Sequence, residues 1–150
     1  STVSCPPSGA EGLEVGNVIQ NLEFTSCMDD SVFFHDLCGK PALIANWYGW
    51  CASCEDNAAL ARQLAEEFPD TSFILVLDEN PLSEPVDADF CMAYQNAYPS
   101  PAQIWMDPEK KLEVYGSTDL ILVLDQEGKI VFKRQTATES AIREAVLSVQ

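Results

Sequence analysis

Hydrophobic positions along the chain fall into short blocks whose period changes from one block to the next. Ala42 to Trp47 is an almost unbroken apolar run, the pattern of a strand buried on both faces. Beyond it Leu60, Ala61, Leu64, Ala65 and Phe68 recur at helical spacing and stop at Pro69, which predicts a helix from about Ala52 to Phe68 with one face on a sheet. Ser72 to Leu77 reads as a second central strand. The run from Asp78 to Pro85 reads as a polar, proline-marked loop, and Asp87 to Ala97 as a helix.

The flanks follow the same logic. Val18 to Phe24, with Cys27 to Phe34 beyond, predicts an N-terminal strand or hairpin. Tyr98-Pro99-Ser100-Pro101 breaks the preceding helix, and Gln103 to Met106 is a short strand in which Trp105 and Met106 read as packing residues. Leu120 to Leu124 and Lys129 to Lys133 make a hairpin around Gln126-Glu127-Gly128. Thr136 with Glu139 forms a capping-box pattern for a last helix, whose buried stripe is Ala141, Ile142, Ala145, Val146 and Val149.

The candidate chemistry sits where the first buried strand gives way to the first helix, at Trp50-Cys51-Ala52-Ser53-Cys54. A cysteine at a helix N-terminus faces unpaired amide groups and the positive end of the dipole, which favour its thiolate. The second cysteine lies one turn deeper. From there it can attack a mixed disulfide held by the first and release the partner. Trp50 is expected at the surface beside the sulfurs, and Trp47 in the core.

This Trp-Cys-x-x-Cys between strand and helix resembles the active site of the thioredoxin superfamily, from about Val15 to the C-terminus. Gly39-Lys40-Pro41 and the stretch from Leu120 to Val131 are similar to the extracytoplasmic thioredoxin-like and redoxin oxidoreductases. The resemblance implies an α/β, thioredoxin-like fold: a central mixed β-sheet flanked by helices, here with an N-terminal strand or hairpin extension. It implies Cys51 as attacking nucleophile, Cys54 as resolving thiol, and protein thiols or disulfides as substrates, together with a redox partner it does not identify. Residues 1–14 are expected to be a flexible lead-in and 15–150 a single domain.

Three positions depart from that pattern. The buried aspartate that thioredoxins carry six residues before the first cysteine is Ala45 here, beside Asn46, so the acid-base role has no evident owner. Related extracytoplasmic proteins carry a glutamate three residues after the second cysteine, where this chain has Asn57. The loop that holds a cis-proline in the superfamily corresponds to Gly116-Ser117-Thr118-Asp119-Leu120, which has none; Thr118 is the expected substrate contact there, with Pro99 and Pro101 the other candidates for the loop. Glu55 and Asp56 place negative charge in the first turn. They should raise the Cys51 pKa while the helix lowers it, with the helix effect dominant if the carboxylates are exposed and screened. The sum is open at this stage, and a less stabilised thiolate would make the protein more reducing. The alternative function is a redox-inactive binding or scaffold module that keeps the disulfide as a structural bridge.

Composition narrows the class. The 150 residues, 47% of them hydrophobic, suffice for one cored domain. A formal charge of -16 opposes binding to nucleic acid or to an anionic membrane surface. Six cysteines suit an oxidising, extracytoplasmic compartment. A start at Ser1 suits a chain whose export signal or anchor has been removed, so a membrane or lipid anchor outside these residues is compatible with the sequence. A monomer is expected.

Cys5, Cys27, Cys38 and Cys91 allow three pairings, all open at this stage. Cys27 with Cys38 would close a short hairpin, leaving Cys5 to reach Cys91; two structural staples are favoured over a second redox pair because none of the four starts a helix. The only histidine, His35, has no neighbouring ligands and reads as a hydrogen-bonded or exposed loop residue; no metal and no cofactor are expected.

Overall fold

A computed structural model describes residues 3–150 of the chain. Seven strands form one mixed sheet in the order β2-β1-β5-β4-β3-β6-β7. They are β1 (Glu23–Ser26), β2 (Ser31–Phe33), β3 (Ala42–Tyr48), β4 (Ser72–Glu79), β5 (Gln103–Met106), β6 (Ile121–Leu124) and β7 (Ile130–Arg134); the helices are α1 (Ala52–Glu67), α2 (Ala88–Ala97) and α3 (Glu139–Ser148). The three central strands β3, β4 and β5 run parallel, and β6, β7, β1 and β2 complete the sheet antiparallel. This is the mixed sheet with an N-terminal hairpin that the sequence implied.

The side-chain period of the central strands explains the layering. Leu43, Ala45, Trp47, Leu75 and Leu77 point to the face packed by α1, α2 and α3, through Leu64, Cys91 and Val146 among others. Ala42, Ile44, Ile74 and Val76 point to the opposite face, covered by Ile19, Phe34, Leu37, Leu112 and Tyr115. All three helices therefore lie on one face. N-terminal chain and two 3-10 turns, at Phe34–Leu37 and Lys111–Val114, close the other. No helix among the described residues is long and apolar enough to cross a membrane.

Two local expectations are corrected, and the pairing of the staples, open in the sequence, is decided. β4 runs on through Asp78 to Glu79, because Asp78 is held in the core with its neighbours, and the loop starts only at Asn80. The cap of α3 is Thr138, whose Oγ1 accepts the Ala141 N–H at 3.2 Å, while Thr136 has φ +55 and donates its N–H to Asp119. The staples pair as Cys5–Cys38 and Cys27–Cys91. The turn at Phe34–Leu37 carries Cys38 away from β1 toward the N-terminal chain, and the pairing of β1 with β5 sets Cys27 beside Ile104 and α2. Along the described part of the lead-in, besides the Cys5 bridge, Gly12 N–H donates to the Val18 carbonyl, Val18 N–H to the Ala10 carbonyl, and Tyr115 Oη to the Gly12 carbonyl.

Candidate active site

β3 feeds directly into α1, and the connection is tight. Gly49 passes so close to the backbone of Asn80 and Pro81 that a Cβ there would overlap both, so only glycine fits. Cys51 is the N-cap residue of α1, with φ -102 and ψ 109, and its Sγ accepts the Cys54 N–H at 3.1 Å. Sulfur thus takes the place that a serine or aspartate oxygen usually holds, and the amide that caps the helix also stabilises negative charge on the thiol. Cys51 is half-buried; Cys54, bridged to it with Cα atoms 5.2 Å apart, is 1% exposed. One sulfur is reachable and the other is sheltered, as an attacking and a resolving thiol require.

Aromatic side chains frame the reachable sulfur. Trp50 is 49% exposed and its Nε1 donates to Glu79 Oε1 at 2.7 Å; Lys110 pairs with the other Glu79 oxygen at 2.6 Å and holds that carboxyl below the usual range. Trp47 is in the core. Between the motif and α2 runs a mostly apolar groove of about 540 Å³, lined by Trp47, Trp50, Cys51, Pro81, Phe90, Tyr94 and Tyr98. Arg62 braces two of these rings, donating to Tyr94 Oη at 2.8 Å and stacking 4.4 Å from the Tyr98 ring centre. Burial, with the Glu55 charge second, pushes the Tyr94 hydroxyl up to about 12.

The two acids of the first turn are not equivalent. Glu55 accepts from Trp47 Nε1 at 2.8 Å and pairs with Arg62 at 3.3 Å, so its charge is largely matched, whereas Asp56 is exposed. Asn57 is buried and its Nδ2 donates to the Asp119 carbonyl at 3.1 Å. It ties α1 to the loop before β6.

That loop is indeed the one that faces the motif. β6 pairs with β3, and Asn46 N–H donates to the Leu120 carbonyl, which brings Thr118 and Asp119 beside α1; Pro99 and Pro101 lie elsewhere, ahead of β5. The peptide before Asp119 is trans. Thr118 has φ +57, a left-handed conformation that a β-branched residue rarely adopts. Asp119, only 5% exposed, accepts from Ser53 Oγ at 2.9 Å and from Thr136 N–H at 3.1 Å. Ser53 Oγ in turn lies 3.4 Å from Cys51 Sγ. Sequence reasoning assigned neither Ser53 nor Asp119 a role; the signal available was an acid in the loop expected to face the motif.

A second buried acid was read as loop. Asp78 at the end of β4 is fully buried, and neither carboxylate oxygen has a hydrogen-bond partner. Burial first, then the Asp107 charge, pushes it up to about 8. His35 donates Nε2 to the Ile19 carbonyl at 2.7 Å, and no cluster of metal ligands occurs among the described residues.

The geometry is that of a thioredoxin-like protein. A candidate thiol:disulfide interchange protein DsbE from Chlorobium tepidum superposes with a TM-score of 0.75 at 16% identity, covering 92% of this chain and 99% of its own. The exposed lipoprotein thioredoxin of Streptococcus pneumoniae gives 0.69 at 24% identity, covering 86% and 99%. A secreted Mycobacterium tuberculosis disulfide oxidoreductase homologous to E. coli DsbE gives 0.67 at 16%, covering 85% and 96%. No protein-family model and no curated protein matches the sequence. The chain therefore has the thioredoxin-like fold, at identities that speak for the fold alone.

Proposed function

We propose that this protein exchanges disulfides with protein thiols through Cys51 and Cys54, in an extracytoplasmic compartment and as a monomer whose working domain spans residues 15–150. The observation that supports it is the asymmetry of the pair: Cys51 is partly exposed and its Sγ accepts the Cys54 N–H, while Cys54 is sealed in the core. The Cys51 thiolate attacks one sulfur of a substrate disulfide, forming a mixed disulfide and expelling a substrate thiolate. The Cys54 thiolate then attacks Cys51 Sγ, closing the internal bridge and releasing the second substrate thiolate. Two electrons pass to the substrate; the reverse sequence oxidises it.

The groove beside Cys51 is where a substrate side chain packs, with Trp50 and the strained Thr118 flanking the sulfur as substrate contacts. A secreted or surface-anchored setting is supported by the six cysteines, all paired, and by what the Streptococcus and Mycobacterium proteins are described as.

A glutathione redox titration with alkylation and mass mapping of each cysteine tests this. Cys51 and Cys54 should open and close together between roughly -120 and -270 mV, and Cys54→Ser should accumulate a mixed disulfide on Cys51. A pair that stays closed below about -300 mV would make it a structural bridge and the protein a binding module.

A further inference from the structure

Cys51 Sγ sits between two hydrogen-bonding systems of opposite effect. From the helix, the Cys54 N–H donates to sulfur and favours the thiolate. From the facing loop comes a chain of a different polarity. Asp119 Oδ2 can only accept, so the Ser53 hydroxyl, 2.9 Å away, gives its single proton to the carboxylate. What Ser53 presents to Cys51, 3.4 Å off, is a lone pair. A lone pair accepts from S–H and repels S⁻.

The carboxylate is held for this task. Its other oxygen accepts the Thr136 N–H at 3.1 Å, Asn57 Nδ2 grips the Asp119 carbonyl at 3.1 Å, and the side chain is nearly covered. Other charged or titratable groups surround the sulfur: Glu55, Asp56 and Arg62 on α1, Glu79 at the end of β4 against Trp50, Tyr94 on α2, and Glu139 at the start of α3. Glu55 is matched by Arg62 and Glu79 by Lys110. Among these groups only Asp119 reaches Cys51 through a continuous hydrogen-bonded path.

We propose that Asp119 is a positioning residue which, through the Ser53 hydroxyl, orients an acceptor at Cys51 and holds the reduced sulfur as thiol. Because the thiolate is the form that stabilises a reduced pair, the consequence is a more reducing couple and an attacking sulfur that sharpens as pH rises.

This inference rests on the exchange reading only in taking Cys51 as the reactive sulfur, and its test needs no partner. Cys51 alkylation by iodoacetamide is followed against pH on the reduced protein, assigned by mass. In Asp119→Asn the amide donates to Ser53, the hydroxyl turns its proton to sulfur, and the Cys51 midpoint should fall by about one unit. In Ser53→Ala it should fall by about half a unit, and adding Asp119→Asn to Ser53→Ala should move it by less than about a third of a unit. Ser53 is exposed, so its variant reports even if Asp119→Asn does not fold. An unmoved midpoint in Ser53→Ala, or an Asp119→Asn shift undiminished without the hydroxyl, overturns the proposal. Shifts as expected in a protein that fails to exchange with thiols would sink the exchange reading alone.

Discussion

The Trp47 indole Nε1 donates to Glu55 Oε2 over 2.8 Å, joining the end of β3 to the first turn of α1 across the motif between them. Trp47 is only 4% exposed, so its N–H has no ready alternative to this acceptor. Glu55→Ala leaves it unpaired and should cost about 1–3 kcal/mol, read as a lower urea midpoint at unchanged slope. Glu55→Gln keeps an acceptor and loses only the partly exposed Arg62 pair, a loss of under about 1 kcal/mol. Equal losses in the two variants would show that the indole bond is not what stabilises this junction.

Asp78 makes stability fall as pH rises. Its folded pKa, about 8, lies above the ordinary carboxylate value of 3.8, so the folded protein holds a proton that the unfolded chain releases. The penalty for ionising the buried group is absent below about pH 4, grows through the interval between the two values, and levels off above about pH 8. Asp78→Asn removes it. The variant should gain on the order of 2–4 kcal/mol at pH 8 and close to nothing at pH 4, measured by denaturation at both. A gain independent of pH would place its cause in packing and not in charge.

How much of this was legible in the sequence depended on whether the signal was local. The motif and α1 were, because an apolar run ending in a helical stripe is written in neighbouring residues, and the Cys51 cap follows from that junction; the mixed sheet came only with the resemblance that the motif carries. Asp78 was misread because an acid before Asn80-Pro81 looks like loop; its burial comes from strands and a turn far along the chain. The pairing of the staples stayed open in the sequence because the 3-10 turn at Phe34–Leu37, which redirects Cys38, has no strong pattern. Ser53 and Asp119 are 66 residues apart, and only the β3–β6 pairing brings them together.

The three bridges should open by reactivity first and burial second: Cys51 starts a helix whose Cys54 N–H stabilises it as a leaving thiolate, whereas Cys5–Cys38, though more exposed, has no such group. Cys51–Cys54 is half-accessible at one sulfur, Cys5–Cys38 lies at the surface, and Cys27–Cys91 is buried at 5% and 0%. Rising dithiothreitol should therefore reduce Cys51–Cys54 first and Cys5–Cys38 second, with Cys27–Cys91 yielding only once denaturant is added; alkylation and mass mapping reads the sequence. Removing Cys27–Cys91, which spans 64 residues, as the double alanine variant should cost about 2–4 kcal/mol. Early opening of Cys27–Cys91 in native buffer would contradict the burial.

The groove separates recognition from chemistry, and kinetics can tell the two apart. Trp50 and Tyr98 are exposed aromatic walls on either side of the approach to Cys51, and neither donates a hydrogen bond to a sulfur. A peptide disulfide carrying an aromatic residue next to its cysteine can bury that ring there, whereas glutathione has no apolar side chain to offer. Loss of one aromatic contact is worth about 1–1.5 kcal/mol, or roughly tenfold in binding. Tyr98→Ala should therefore raise KM for the aromatic peptide roughly tenfold with kcat nearly unchanged, and leave the rate with oxidised glutathione within about twofold. Should both substrates slow together, Tyr98 would be acting on the reactivity of Cys51 through Arg62 and Glu55, and the groove would not be a recognition surface.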